Sequence, residues 1–229
     1  RKYYSGRSPL EALSIGVSMK ETDIALRCNL VTLSEEEGGF DLCSMKDHSA
    51  GEISTEDAKI LLDAVRKEIE TEEFRFYAGT SYRHLLIWEN GSVMDLAPPH
   101  DILGQKIEGK LPKQPDLLAM TKRSYEILKD HPLNAKRKRQ GKNPANSFWF
   151  WGAGTKPALS SFQEMTGKTG AMISAVDLLK GIAVGASMKV IAVDGANGGL
   201  NTNYEGKAQA AVEALTKGGC DFVYVHLEA

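Results

Sequence analysis

The residues whose types suit chemistry are five histidines, one basic run and three glycine-rich strings. His48, His84, His100, His131 and His226 include no HxxxH or HExxH pair, so no helical metal site can be read from their spacing. Asp47-His48 and His100-Asp101 are polar pairs in loop-like sequence, where binding groups concentrate. Gly167-Lys168-Thr169-Gly170 has the ending of a phosphate-binding loop, but Phe162 stands where the opening Gly belongs. It reads instead as a helix N-terminus. Gly152-Ala153-Gly154 lacks the third Gly of a dinucleotide fingerprint, because Pro157 holds that place. Asp194 through Gly199 follows a predicted strand, where a glycine-rich turn suits a phosphate contact or a flexible loop equally. Lys136-Arg137-Lys138-Arg139, with Gly141-Lys142, could supply an Arg fork to a phosphate, although most of such a run is expected to be solvated. No catalytic triad, nucleophile–base pair or complete metal site assembles from these residues.

The elements that must position them are legible in outline. Residues 9–17 suggest a short helix and 23–33 a strand, with 35–39 a loop and 40–45 the returning strand. Residues 54–70 carry a capped helix start, with Ser54 or Thr55 before Glu56 and Asp57 and an apolar face of Ala58, Leu61, Leu62, Val65 and Ile69. Residues 74–78 and 82–88 read as strands, 97–115 as a proline-rich connector and 115–130 as an amphipathic helix that Pro132 ends. The consecutive aromatics of 147–151 predict a buried strand whose side chains face both ways, core rather than a base-stacking platform. Then 171–185 reads as one buried helix, 189–193 as a strand, 204–217 as a helix and 221–227 as a buried strand holding His226. That alternation predicts parallel strands joined by crossover helices.

Composition narrows the classes. A formal net charge of −2 gives no global reason to expect nucleic acid, and no apolar run is long enough to span a bilayer. Cys28, Cys43 and Cys220 form no CxxC pair and fit reduced thiols in a cytoplasmic protein. The chain opens at Arg1 without an initiator Met, and its last predicted strand ends two residues before Ala229, so it is expected to be an internal piece of a larger protein.

Taken together, several strings resemble the archaeal-type family of cofactor-independent (2,3-bisphosphoglycerate-independent) phosphoglycerate mutases, in the alkaline phosphatase superfamily. They are Tyr4-x-Gly6-Arg7-x-Pro9-Leu10-Glu11-Ala12, Asp23-x-Ala25-x-Arg27-Cys28-Asn29, Asp47-x-x-Ala50-Gly51, Tyr82-Arg83-His84 and Pro99-His100-Asp101. Further along come Asn146 through Gly154, Gly167 through Ala171, Asp177 through Ala183, Thr202-Asn203-Tyr204-x-Gly206-Lys207 and the closing His226 through Ala229.

The resemblance implies an α/β fold: part of an alkaline-phosphatase-like sheet sandwiched by helices, plus a smaller inserted α+β domain. The expected segments are 1–40 and 106–229 for the phosphatase-like part and 41–105 for the insert. It implies a phosphoserine mechanism with two divalent metal ions (Mn, Mg, Zn or Co) in the whole protein. The nucleophilic Ser and first metal-ligand Asp fall before Arg1 and the later ligands beyond Ala229. This chain is therefore expected to hold no metal, to contain no catalytic residue and to be inactive alone.

The substrate expected is a small phosphorylated three-carbon acid, with neither nucleic acid nor membrane as partner. Its expected contacts are Arg27, Asn29, Asp47, Arg83, His84, His100, Asp101, Arg137 and Lys142. A homoserine kinase-like phosphotransferase of the same superfamily and a non-catalytic binding fragment are the alternatives.

Overall fold

The structure, a computed structural model, describes residues 6–197 and 199–227. Tyr4, Gly198, Glu228 and Ala229, which belong to strings named above, lie outside the described residues. In chain order the elements begin with α1 (Arg7–Ser14), β1 (Ile24–Leu33), β2 (Met45–Asp47), α2 (Thr55–Ile69), β3 (Phe74–Tyr77) and β4 (Arg83–Trp88). They continue with α3 (Pro115–Lys129), α4 (Pro132–Arg139), β5 (Ser147–Thr155), α5 (Phe162–Thr166) and β6 (Gly170–Ile173). The last are α6 (Asp177–Gly185), β7 (Lys189–Val190), α7 (Tyr204–Thr216) and β8 (Phe222–Val225). No helix among the described residues is long and apolar enough to cross a membrane. Contacts divide the chain into two compact units, residues 20–155 and residues 1–19 with 156–229. The insert expected over 41–105 lies within the 20–155 unit, which extends beyond it on both sides.

The 20–155 unit is built on an antiparallel sheet in which β1 is central. β5 pairs along one side of it, β4 along the other with β3 outside, and β2 takes over at Thr32–Leu33. Every β1 residue is buried, polar ones included. Side chains alternate across a strand. Leu26, Cys28, Leu30, Leu86, Phe148 and Phe150 pack on one face against Leu61, Leu62, Val65 of α2 and Leu117, Leu128 of α3. Val31, Leu33 and Trp149, on the other face, join a second core with Met45, Ile107 and Tyr125. α2 starts where Ser54 accepts a hydrogen bond from the Asp57 amide at 3.2 Å, as its sequence predicts. The strand expected over 40–45 comes later. Residues 40–42 form a 3-10 turn, in which the Leu42 and Cys43 amides donate to the Gly39 and Phe40 carbonyls, and β2 begins at Met45.

The other unit holds a parallel sheet in the order β7-β6-β8, as the alternating pattern predicts. Within it, 171–185 is not one helix. Residues 170–173 are the central strand, and the Ser174 hydroxyl accepts from the Val176 amide at 3.0 Å, turning the chain into α6. Gly167-Lys168-Thr169-Gly170 is not a helix N-terminus either. Gly167 is the left-handed C-cap of α5 at φ 69°, and Gly170 opens β6. A P-loop needs strand, loop, helix; here the order is helix, turn, strand. The expected buried strand at 221–227 is a strand over 222–225 only. It lies at the sheet edge, leaving Phe222, Tyr224 and Val225 36–43% exposed, and His226 is half-buried beyond its end.

Candidate functional site

β1 and its neighbours bring Arg27, Asn29, Arg83 and Trp151 to one face. Arg27 lies opposite Trp151 on β5, and Asn29 lies opposite Arg83 on β4. Arg27 is 4% exposed, and its guanidinium sits 4.8 Å from the centre of the Trp151 ring. This cation–π contact holds the guanidinium against the indole. The Trp151 indole N–H donates to Asn29 Oδ1 at 3.1 Å, and Asn29 Nδ2 donates to the His48 carbonyl at 3.2 Å.

His100 packs edge-on to Trp151 at 5.2 Å between ring centres and faces His48 at 6.2 Å. His48 meets Tyr82 edge-on at 5.8 Å, and the exposed Arg83 guanidinium lies 5.3 Å from the Tyr82 ring. Asp101, exposed, approaches His100 Nε2 at 3.7 Å. Two guanidinium groups, two imidazoles and an amide thus converge on an aromatic-lined surface. Cross-strand diagonals put the Arg27 and Arg83 backbones about 7–8 Å apart. That spacing suits a small anion with two charged ends, because guanidinium forks match carboxylate and phosphate oxygens.

The other expected contacts sit elsewhere. His84 follows Arg83 in the strand and so points to the opposite face, shared with Leu86 and Trp88 in the α2-side core. It is 3% exposed; its Nδ1 accepts from the Gly79 amide at 3.2 Å and its Nε2 has no partner. Burial lowers its pKa to about 4, keeping the ring neutral.

Asp47 accepts from the Ser49 amide and hydroxyl at 2.8 Å each, from the Gly51 amide at 2.6 Å and from Asn143 Nδ2 at 2.8 Å. Burial raises its pKa, but these donors together outweigh burial and hold the carboxyl below its ordinary value. Arg137, 3% exposed, donates to the Asn143 carbonyl, Asp57 Oδ2 and the Ala50 carbonyl at 3.1, 3.2 and 2.8 Å. Its neighbours in the basic run follow the expected course: Lys136, Lys138 and Arg139 point outward, and Lys138 pairs with Glu35. Lys142 is exposed in a separate groove of about 300 Å³ with Thr32, Lys46, Lys138 and Asn143.

Trp151, Tyr82 and His48 complete the face without standing among the residues expected from sequence. For Trp151 a signal exists: its strand is legible, and alternation puts it on the same face as Trp149, opposite Phe148 and Phe150.

Among the described residues no three His, Cys, Asp or Glu side chains gather as a metal ion requires. The donors among the described residues do not fit a two-metal centre.

In class this is a mixed α/β protein whose antiparallel unit carries a basic, aromatic-lined face suited to a small anion. Comparison with known proteins makes the class specific. The profile of the 2,3-bisphosphoglycerate-independent phosphoglycerate mutase family matches residues 1–134, and the chain belongs to that family. Proteins of that name from Methanosarcina barkeri and Methanosarcina acetivorans are 53% and 50% identical over 99% of the chain. A Geobacter sulfurreducens protein described as a probable member is 48% identical over 100% of it. The chain spans 56–57% of the length of these relatives. A solved Pyrococcus horikoshii protein superposes with a TM-score of 0.71 at 28% identity, over 99% of this chain and 52% of its own. A cofactor-independent phosphoglycerate mutase from Thermoplasma acidophilum gives 0.59 at 29% identity, over 100% of this chain and 62% of its own.

Proposed function

We propose that the whole protein interconverts 3-phosphoglycerate and 2-phosphoglycerate through a phosphoserine intermediate, in glycolysis and gluconeogenesis, and that this chain holds substrate. The observation that carries the reading is the shared face of Arg27, Asn29, Arg83, His48 and His100 around Trp151. Phosphoglycerates carry a carboxylate and a phosphate a few bonds apart. Two guanidinium groups on one rigid sheet can neutralise both, and Asn29, whose amide keeps one lone pair and one N–H beyond its bonds to Trp151 and the His48 carbonyl, can bond a hydroxyl as glycerate turns between transfers.

On this reading the inserted domain expected over 41–105 lies within the 20–155 unit, and the parallel sheet β7-β6-β8 is part of an alkaline-phosphatase-like core. The nucleophilic Ser and the ligands of two divalent metals, manganese among the candidates, are assigned on this reading to the part of the whole protein beyond the 56–57% of the relatives' length that this chain spans. When bound, such metals would neutralise the transferring phosphoryl group. The three free cysteines, Cys28 and Cys43 of them buried, agree with a cytoplasmic protein.

The test is a coupled assay of the full-length protein converting 3-phosphoglycerate to 2-phosphoglycerate with manganese and without 2,3-bisphosphoglycerate. Activity that a chelator abolishes is expected. A folded, metal-loaded protein with no such activity, but with ATP-dependent phosphorylation of homoserine, would replace the mutase by the kinase.

A further inference from the structure

The loop after β2 adopts a backbone that its sequence does not favour. Ala50, Gly51 and Glu52 are consecutive residues at φ 51°, 66° and 49°. Left-handed backbone at a residue with a Cβ costs about 1–3 kcal/mol and persists only where its surroundings over-determine it. Here they do. The Asp47 carboxylate takes the Ser49 and Gly51 amides from inside the loop and Asn143 Nδ2 from outside. Arg137 grips the same turn by the Ala50 carbonyl and anchors it to Asp57, at the start of α2, and to the Asn143 carbonyl. Asn143 closes the ring, accepting from Arg137 through its carbonyl and donating to Asp47 through its amide. The Nε and both terminal nitrogens of Arg137 are engaged, and the Asp47 carboxylate has four donors. Neither group is free to turn to a ligand.

The loop's own contribution to the face is His48. Its carbonyl is pinned by Asn29 and its ring sits between Tyr82 and His100. Neither ring nitrogen of His48 has a hydrogen-bond partner among the described residues, so both are available to an anion or a hydroxyl.

We propose that His48 contacts substrate and that Asp47 and Arg137 are positioning residues, holding the left-handed loop that aims it. This rests on the reading of the Arg27 face as the substrate-holding surface. Asp47 and Arg137 thereby leave the set of direct substrate contacts, and His48 enters it. The effect is expected in substrate binding, because the ring of Asp47, Asn143 and Arg137 acts on the face through the loop that carries His48.

The test is a double-mutant cycle in the full-length protein. His48→Ala is expected to raise KM about 10-fold with kcat within about 2-fold. Asp47→Asn, which keeps the side-chain shape, and Arg137→Met are each expected to raise KM about 5- to 10-fold. Combined with His48→Ala, neither should raise KM beyond the effect of His48→Ala alone, because the loop then has nothing to aim. KM effects that multiply, or a loss of kcat at unchanged KM, would overturn the positioning role; Asp47→Asn decides the matter should Arg137→Met not fold. Arg27→Lys separates the two readings. If it raises KM while His48→Ala does not, this proposal fails and the substrate-holding face stands. If neither moves KM, the face itself is misassigned.

Discussion

Arg27 and His84 are about equally buried, at 4% and 3% exposure, and their surroundings give them opposite tasks. Arg27 keeps its charge, spread over the Trp151 ring, where a planar cation is favoured. A lysine in its place carries a point charge and cannot present a planar fork, so if Arg27 holds phosphoglycerate as proposed, Arg27→Lys in the full-length protein is expected to raise its KM about 10-fold. Steady-state kinetics checks this.

His84 instead gives up its charge. Its pKa falls from 6.5 to about 4 through burial, so the folded state resists a proton that the unfolded chain accepts. Stability from this group is complete above pH 6.5 and drains away as pH falls toward 4. The loss between pH 7.5 and 5 is about 2 kcal/mol. Trp88, Trp149 and Trp151, the three tryptophans of the chain, all lie in the 20–155 unit, so fluorescence-detected urea unfolding reads that unit. His84→Asn, whose oxygen can still accept from the Gly79 amide, should flatten the dependence between about pH 7.5 and 5. An unchanged slope would assign it to other groups.

At the scale of elements, helices with local signals are readable. α2 announces itself with a Ser cap, acidic first-turn residues and a 3.6-residue apolar period, all carried within its own short stretch of sequence. β6 and α6 are not separable by the same means. AMI and AVDLL are apolar on nearly every side, and periodicity cannot distinguish a short strand buried on both faces from the helix that follows it. The Ser174 hydrogen bond that divides them shows only in three dimensions.

The site has the same limit. Arg27 and Asn29 are legible as residues apt for an anion, but Trp151 lies 122 positions from Asn29, and register decides which face each residue takes. Hence His84, adjacent to Arg83 in sequence, falls on the other side of the sheet. Arg137 is readable only as a member of a basic run, since its burial depends on Ala50 and Asp57, 87 and 80 residues away.

The packing of α1 on α6 gives an element-scale prediction. A Cβ added at Gly181 would stand 1.7 Å from the Leu10 carbonyl oxygen, which is backbone and cannot step aside. At Gly185 it would meet the Leu159 side chain at 2.7 Å, which can. Gly181→Ala is expected to destabilise by about 3 kcal/mol or more and Gly185→Ala by about 1 kcal/mol or less, measured by thermal melts followed in far-ultraviolet circular dichroism.

For the whole molecule, the two units differ in what they ask of the chain. The parallel unit makes its sheet from strands within residues 170–225, whereas the antiparallel unit closes only when Ile24 finds Thr155. During synthesis, β1 acquires its β4 neighbour by Trp88 but waits about 3 to 13 seconds, at typical ribosomal speeds, before β5 emerges. Until then its β5 side is an open strand edge flanked by some of the most apolar residues of the protein, a template on which other chains can pair. Yield on refolding from denaturant should therefore fall steeply with protein concentration, and the step that loses material should precede docking of residues 147–155.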